Sequence, residues 1–334
     1  MEDTERTTES GNEARETANI FDKSFKRLMR LSDKAIVLFI NGLFETAYSP
    51  ESTVGFLSTE TISDNLNRII SDVVISITEP GGEVHYYLVE AQIGDDEQMA
   101  LRVFNYVYAE GLKHKTMDDD GVITIRLPEA KVIYWETTRK TPDKAILRVI
   151  SPKGQALEYE VESFKFLDHS IEDLERHNMT LLLPFYMLKL RKRIAKAQSE
   201  KALGALSDEM RSLWAEMLEA IDRGEAEGQL SPADEITVLS VLKQMFNEVY
   251  KPYKGILEVN TMIMKDSPIP EVDARLEALW KKQDADRVEI AQKMVADHFP
   301  AEQVSKYTSL PIDRVQSLYS GGQAQGAQSL YASH

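Results

Sequence analysis

Alternation of apolar and polar positions changes period four times along the chain. In "FDKSFKRLMRLSDKAIVLFINGLFETAY", apolar residues recur at helical spacing: Phe25, Leu28 and Met29, then Ile36, Val37, Phe39, Ile40, Leu43 and Phe44. Ser32-Asp33 interrupts that stripe, so the stretch predicts two short helices or one kinked helix. "LNRIISDVVISITEPGGEVHYYLVEAQIG" holds two β-branched runs separated by Pro80-Gly81-Gly82-Glu83, the pattern of a β-hairpin. "DDEQMALRVFNYVYAEGLKHK" returns to helical spacing at Met99, Val103, Tyr106 and Val107, with Asp95 and Asp96 placed for a helix N-terminus. "AKVIYWETT", "AILRVIS" and "ALEYEVESFKFLD" predict three more strands, and from Asp173 onward the pattern is helical. Ser231-Pro232 opens one of these later helices. Residues 284–319 predict helix, helix, turn, helix.

This order, mixed α/β followed by helices, predicts an α/β fold with an all-helical C-terminal half. The expected segments are a disordered acidic N-terminus (1–18), an α/β core (19–172), connecting amphipathic helices (173–200) and a helical region (201–283). A small helical unit (284–319) and a flexible tail (320–334) complete the series.

One strand carries an anomaly. In "YYLVEAQIG" (86–94), Leu88, Glu90 and Gln92 share one face, and Tyr87, Val89, Ala91 and Ile93 share the other. A carboxylate inside a core strand requires a partner, a cation or water, because burying it bare is very costly. Asp72 sits in the preceding strand, on the face of Ile70 and Val74. Two convergent carboxylates on paired strands make a hard-oxygen site suited to Mg²⁺ or Mn²⁺. Isolated acids are also common at solvated sheet edges, so spacing by itself leaves both readings open.

Composition narrows the chemistry. The chain has 334 residues, 43% of them hydrophobic, with net charge −16 and no cysteine. Disulfides, thiolate zinc sites and thiol nucleophiles are thereby excluded. The first twenty residues are polar and charged and do not read as a signal peptide, and no apolar run approaches membrane-span length. A soluble, cytoplasmic protein is expected. The six histidines show no metal-ligand spacing.

"SDVVISI" followed by "YYLVEAQIG" resembles the D…ExK core of the PD-(D/E)XK nuclease superfamily, in the variant with glutamine at the lysine position. The likeness is to the bacterial recombination-promoting nuclease and putative transposase family. "FDKSFKRLMR", "QMALRVFNYVYAEGL", "FKFLDHSIEDLERHNMTLLLPFYMLKLRK" and the tail segment "RVEIAQKMVADHFPAEQVSKYTSLPIDRVQSLY" resemble further segments of that family, in the same order. The resemblance implies a restriction-endonuclease-like mixed sheet flanked by helices, and a metal-dependent DNA endonuclease linked to recombination or mobile elements. The alternative is a catalytically inactive member serving as a DNA-binding or protein-interaction module.

Carried over by residue, the resemblance implies Asp72, Glu90 and the Ala91 backbone carbonyl as ligands of Mg²⁺ or Mn²⁺. Gln92 takes the lysine position. Glutamine hydrogen-bonds and orients water but is neither a general acid nor a general base. The superfamily often adds an acid from the first helix; Asp22, Asp33 and Glu45 are candidates, and Glu45 is the one chosen. Gln98 and Arg102 lie one helical turn apart, with Tyr106 a turn further on. Arg102 is either a phosphate donor or an ion-pair partner of Glu97 or Asp95, and Tyr106 is expected in the core. Lys189 and Lys192, in the basic run ending at Lys196, are candidate DNA contacts or a solvated face; Arg139, Lys140 and Lys144 form a second such group. Residues 301–319 look like a helix-turn-helix but carry only Lys306 and Arg314 as bases, so helical packing is expected there. The expected partners are DNA and, with oligomeric state left open, further copies of the chain as a homo-oligomer; no membrane is among them.

Overall fold

The structure, a computed structural model, describes residues 20–57, 60–62, 68–70, 73–197, 199–250 and 269–319. It divides into two compact units, the first ending at Ile269 and the second beginning at Pro270.

The first unit opens with helix α1 (residues 20–28) and helix α2 (Asp33–Phe44). The break between them has a local cause: Ser32 is the N-cap of α2, its hydroxyl accepting from the Ala35 amide. Six strands then form one mixed sheet: β1 (Thr53–Phe56), β2 (Val73–Thr78), β3 (Val84–Gln92), β4 (Glu129–Tyr134), β5 (Lys144–Ile150) and β6 (Ala156–Lys165). Their spatial order is β1-β2-β3-β4-β6-β5. β3 and β4 run parallel, as do β4 and β6; the other neighbours are antiparallel. The β2–β3 hairpin turns at the predicted Pro80–Glu83, where Gly82 takes φ +88°, a conformation that suits glycine. Two short ribbons, Glu60–Ile62 with Arg68–Ile70 and Thr116–Met117 with Ile123–Thr124, lie outside the main sheet.

Period-two alternation sorts β3 as its sequence predicts. Leu88 joins Val132 and Tyr134 of β4 in a core with Met99, Val103 and Val107 of helix α3 (Met99–Lys113). Tyr106 is partly buried against the same core. On the opposite face, Tyr87 packs its ring against Phe44 of α2 and shares a hydroxyl hydrogen bond with Tyr48. α3 is the crossover between parallel strands β3 and β4, so it is obliged to cover the face that Glu90 shares.

The later helices are part of this unit. Ser170 and Asp173 form a capping box ahead of α4 (Ile171–Arg176). A buried 3₁₀ segment, Thr180–Met187, leads into α5 (Leu188–Lys196), then α6 (Glu200–Ala226) and α7 (Pro232–Tyr250). Gly42 of α2 lies so close to His177 that a Cβ would collide with the His177 carbonyl. Asp234, nearly fully buried near the start of α7, accepts hydrogen bonds from the amide and hydroxyl of both Ser32 and Ser231, tying the starts of α2 and α7 together. Helices α4 to α7 therefore belong to the same unit as the sheet, with α7 tied to the start of α2.

The second unit holds α8 (Ile269–Ala296), α9 (Ala301–Thr308) and α10 (residues 312–319). Ala291, Val304, Leu310 and Val315 make its core. Arg314 forks onto the Asp284 carboxylate at 2.7 Å through each nitrogen. The Arg314 guanidinium of this helix-turn-helix-like segment is thus ion-paired within its own unit. The predicted tracts 1–18 and 320–334 lie outside the described residues.

Candidate functional site

Glu90 is 1% exposed, so its charge has to be met inside the protein. Its Oε1 accepts from Arg102 Nη2 at 2.5 Å and from Gln92 Nε2 at 2.9 Å. Strand alternation puts Gln92 on Glu90's own face, and α3 presents Arg102 to the same point. Arg102 Nη1 donates to Asp96 Oδ2 at 2.6 Å, and Nε lies 3.5 Å from the Tyr106 hydroxyl. Burial works against the guanidinium charge, but Tyr106, Glu90 and Asp96 together outweigh it and hold Arg102 above its ordinary value. Asp96 is shifted the other way: burial raises it, and the Gln98 amide and Arg102 pull it below the usual carboxylate range. The partner of Arg102 therefore differs from either expected one. Glu97 and Asp95 are displaced by Glu90 and Asp96, because the guanidinium points back at the sheet.

Beside this cluster, at the end of β3, is a cavity of about 490 Å³ lined by Phe21, Asp22, residues 91–97 and Trp135. Ala91 and Gln92 thus reach it directly. Asp22 of α1 also lines it, ion-paired with Lys26 at 2.8 Å, whereas Glu45 is the exposed, left-handed C-cap of α2 with φ 57° and is not in the lining. Asp33 is elsewhere too, accepting from the Val54 amide. Of the three acids, Asp22 is the one on the helix that packs nearest the strand end; apolar spacing does not reveal which helix that is. Gln98 is exposed at the start of α3, its amide donating to Asp96 Oδ1. Asp72 lies outside the described residues.

Asp95, in the cavity lining, accepts from the hydroxyls of Thr138 and Thr141, which hold its carboxyl below the ordinary value. A group depressed in the folded chain contributes stability above its ordinary pKa and loses it as pH falls through the folded value. Thr138→Val is expected to move the Asp95 midpoint back up towards the ordinary range, followed by carboxyl-carbon NMR; an unmoved midpoint would exclude the Thr138 hydroxyl as the cause. The same contacts hold the loop carrying Arg139 and Lys140 beside the cavity, a link invisible in sequence because the residues are more than forty positions apart.

The other basic candidates are engaged. Lys192 Nζ lies 3.1 Å from buried Glu136, which also holds Arg191 at 2.8 Å, and Lys189 sits over the Tyr186 ring. Among the described residues, three side chains close enough to share an ion are Glu79, Glu83 and His85 at the hairpin turn. His85 Nε2 is 3.0 Å from Glu79 Oε1, a hydrogen-bond contact that the turn creates and that sequence spacing did not signal. Around Glu90 the donors are of another kind: a buried carboxylate, a glutamine amide and further carboxylates at the cavity. Oxygen groups of that type suit a hard divalent ion by their chemistry, while Oε1 of Glu90 accepts from Arg102 and the Asp96 carboxylate is held by the same guanidinium.

Residues 19–216, more than half of the chain, match the model of the family described as "Putative transposase, YhgA-like", and the chain belongs to that family. No curated protein and no solved structure shows detectable similarity to it. No helix among the described residues is long and apolar enough to cross a membrane.

Proposed function

We propose that this member of the YhgA-like family is a metal-dependent DNA endonuclease acting in recombination or on mobile elements. The observation that supports it most is the buried Glu90 carboxylate, inside a strand whose end opens on a cavity and neutralised by a guanidinium. A purely structural strand has little reason to bear that desolvation cost. Glu90, with Asp72 and the Ala91 carbonyl, would hold Mg²⁺ or Mn²⁺. When bound, such an ion would supply Lewis-acid stabilisation of the phosphodiester and would lower the pKa of the attacking water.

The chain's own residues do the positioning. Gln92 is uncharged; it donates from its amide to Glu90 and its carbonyl oxygen accepts, so it orients water without taking the proton. Arg102 carries permanent charge and a forked set of donors, suited to a phosphate oxygen as well as to Glu90. Asp96 keeps that fork in place. A second reading, an inactive DNA-binding module, is favoured by one feature: Arg102 already occupies Oε1 of Glu90.

Conversion of supercoiled plasmid to nicked or linear forms with Mg²⁺ or Mn²⁺ tests the proposal. The wild type is expected to cleave, and Asp72→Ala and Glu90→Ala to fall to the metal-free background. Cleavage surviving both substitutions would place the activity at a different site. No cleavage by any form, with DNA still bound, would establish the inactive module.

A further inference from the structure

The two edges of the main sheet differ. On β1 the outward amide of Val54 donates to Asp33, so part of that edge is capped. β5 is the other terminal strand, and among the described residues no strand pairs with its outer side. It is seven residues long, contains no proline and is rich in β-branched residues. Ile146 (56% exposed), Val149 (44%) and Ile150 (64%) are solvent-facing on it, with Leu157 (56%) opposite Val149 on β6. Lys144 and Arg148 are the charges on this edge, each drawn to a glutamate of β6, and the outer backbone of the strand is a template for another strand.

The backbone decides which groups are free. Ser151 donates to Gln155 and Ser163 donates to Asp143, so the odd-numbered residues of β5 turn their amides and carbonyls towards β6. Lys144, Ile146, Arg148 and Ile150 turn theirs outward. We infer that β5 pairs antiparallel with β5 of a second copy of this chain about a two-fold axis at Leu147, joining two sheets into one.

Among the registers that pair most of the strand, charge selects that one. Two-fold pairing about Ile146 would set Lys144 opposite Arg148, and pairing about Arg148 would set two Arg148 side chains together; like charges directly opposite are destabilising. Pairing about Leu147 sets Ile146 opposite Arg148 and Lys144 opposite Ile150, and on the other face Ala145 opposite Val149. The outward groups then form the hydrogen-bonded pairs, as antiparallel geometry requires. Within each chain Lys144 is balanced by Glu160 at 3.0 Å and Arg148 by Glu158 at 2.5 Å, so two edges meet without net repulsion. Such a contact is isologous, and its two-fold symmetry closes the assembly at a dimer.

Two substitutions at one position test it, because the monomer and the dimer rank them oppositely. Ile146 faces Glu160 on its own β6, so within a chain Ile146→Lys is the more favourable and Ile146→Glu the less. Across the two-fold axis Ile146 faces the second copy's Arg148, which reverses the order. Sedimentation velocity over a dilution series, with circular dichroism to confirm folding, should give a wild-type dimer, a dimer for Ile146→Glu and a monomer for Ile146→Lys. A wild type monomeric throughout, a dimer indifferent to Ile146→Lys, or dissociation of Ile146→Glu would each overturn the inference.

Discussion

Arg102→Ala is expected to cost about 3 kcal/mol of folding stability, the lower end of what removing one partner of a buried ion pair costs. The lower end applies because Arg102 is itself 37% exposed and Gln92 still donates to Glu90. What remains is a carboxylate buried in the sheet that has lost the Arg102 guanidinium. Urea denaturation measures the loss, and a double-mutant cycle with Glu90→Gln isolates the pair: the double variant should lose clearly less than the sum of the singles. Additive losses would show that Arg102 stabilises α3 by packing and not by neutralising Glu90.

The same variant reports on the proposed metal site without any activity. If Glu90 is a ligand, Mg²⁺ replaces the lost positive charge, and a ligand that binds the native state at about 100 times its Kd stabilises by about 2.7 kcal/mol. The melting temperature of Arg102→Ala should therefore rise more on adding Mg²⁺ than that of the wild type, where Arg102 competes for Oε1. Equal rises would separate Glu90 from metal binding while leaving the ion pair intact.

The second large effect is expected at Trp135. Its ring stacks on Phe185 with centroids 3.9 Å apart and meets Phe25 and Phe166 edge-on at 5.6 and 5.3 Å. These partners come from α1, the residues following β6 and the 3₁₀ segment, so one side chain joins three distant parts of the chain while walling the cavity. Trp135→Ala is expected to destabilise by about 4 kcal/mol, the usual scale for deleting a buried aromatic and leaving its cavity. Trp135→Phe should retain most of that stability. A chemical-denaturation loss below about 1 kcal/mol for the alanine variant would mean that the surrounding rings collapse into the space.

Much of this was legible because local chemistry forces it. The β2–β3 hairpin follows from Pro80-Gly81-Gly82, and the division of α1 from α2 follows from Ser32 as a cap. The two faces of β3 follow from alternation alone, which already placed Glu90 and Gln92 together, and helical spacing in α3 placed Tyr106 against the core. Residues 301–319 were expected to pack as helices because they carry only Lys306 and Arg314 as bases, and Val304, Leu310 and Val315 do join one core with Ala291.

Other features depend on contacts between residues far apart, and no local pattern encodes them. Arg102 was open between a phosphate donor and a surface ion pair, since periodicity gives the face of α3 but not its rotation over the sheet. Asp22 reaches the cavity and Glu45 does not, because that depends on which of two adjacent helices packs at the end of β3. The Thr138 and Thr141 hydroxyls on Asp95, and the joining of the later helices to the sheet through Asp234 and Trp135, arise from packing across the unit. By itself the sequence determined the elements, the faces of β3 and the presence of a charge that had to be met. Only the tertiary structure decided that Arg102 meets it, because a buried carboxylate takes whichever cation the fold carries to it.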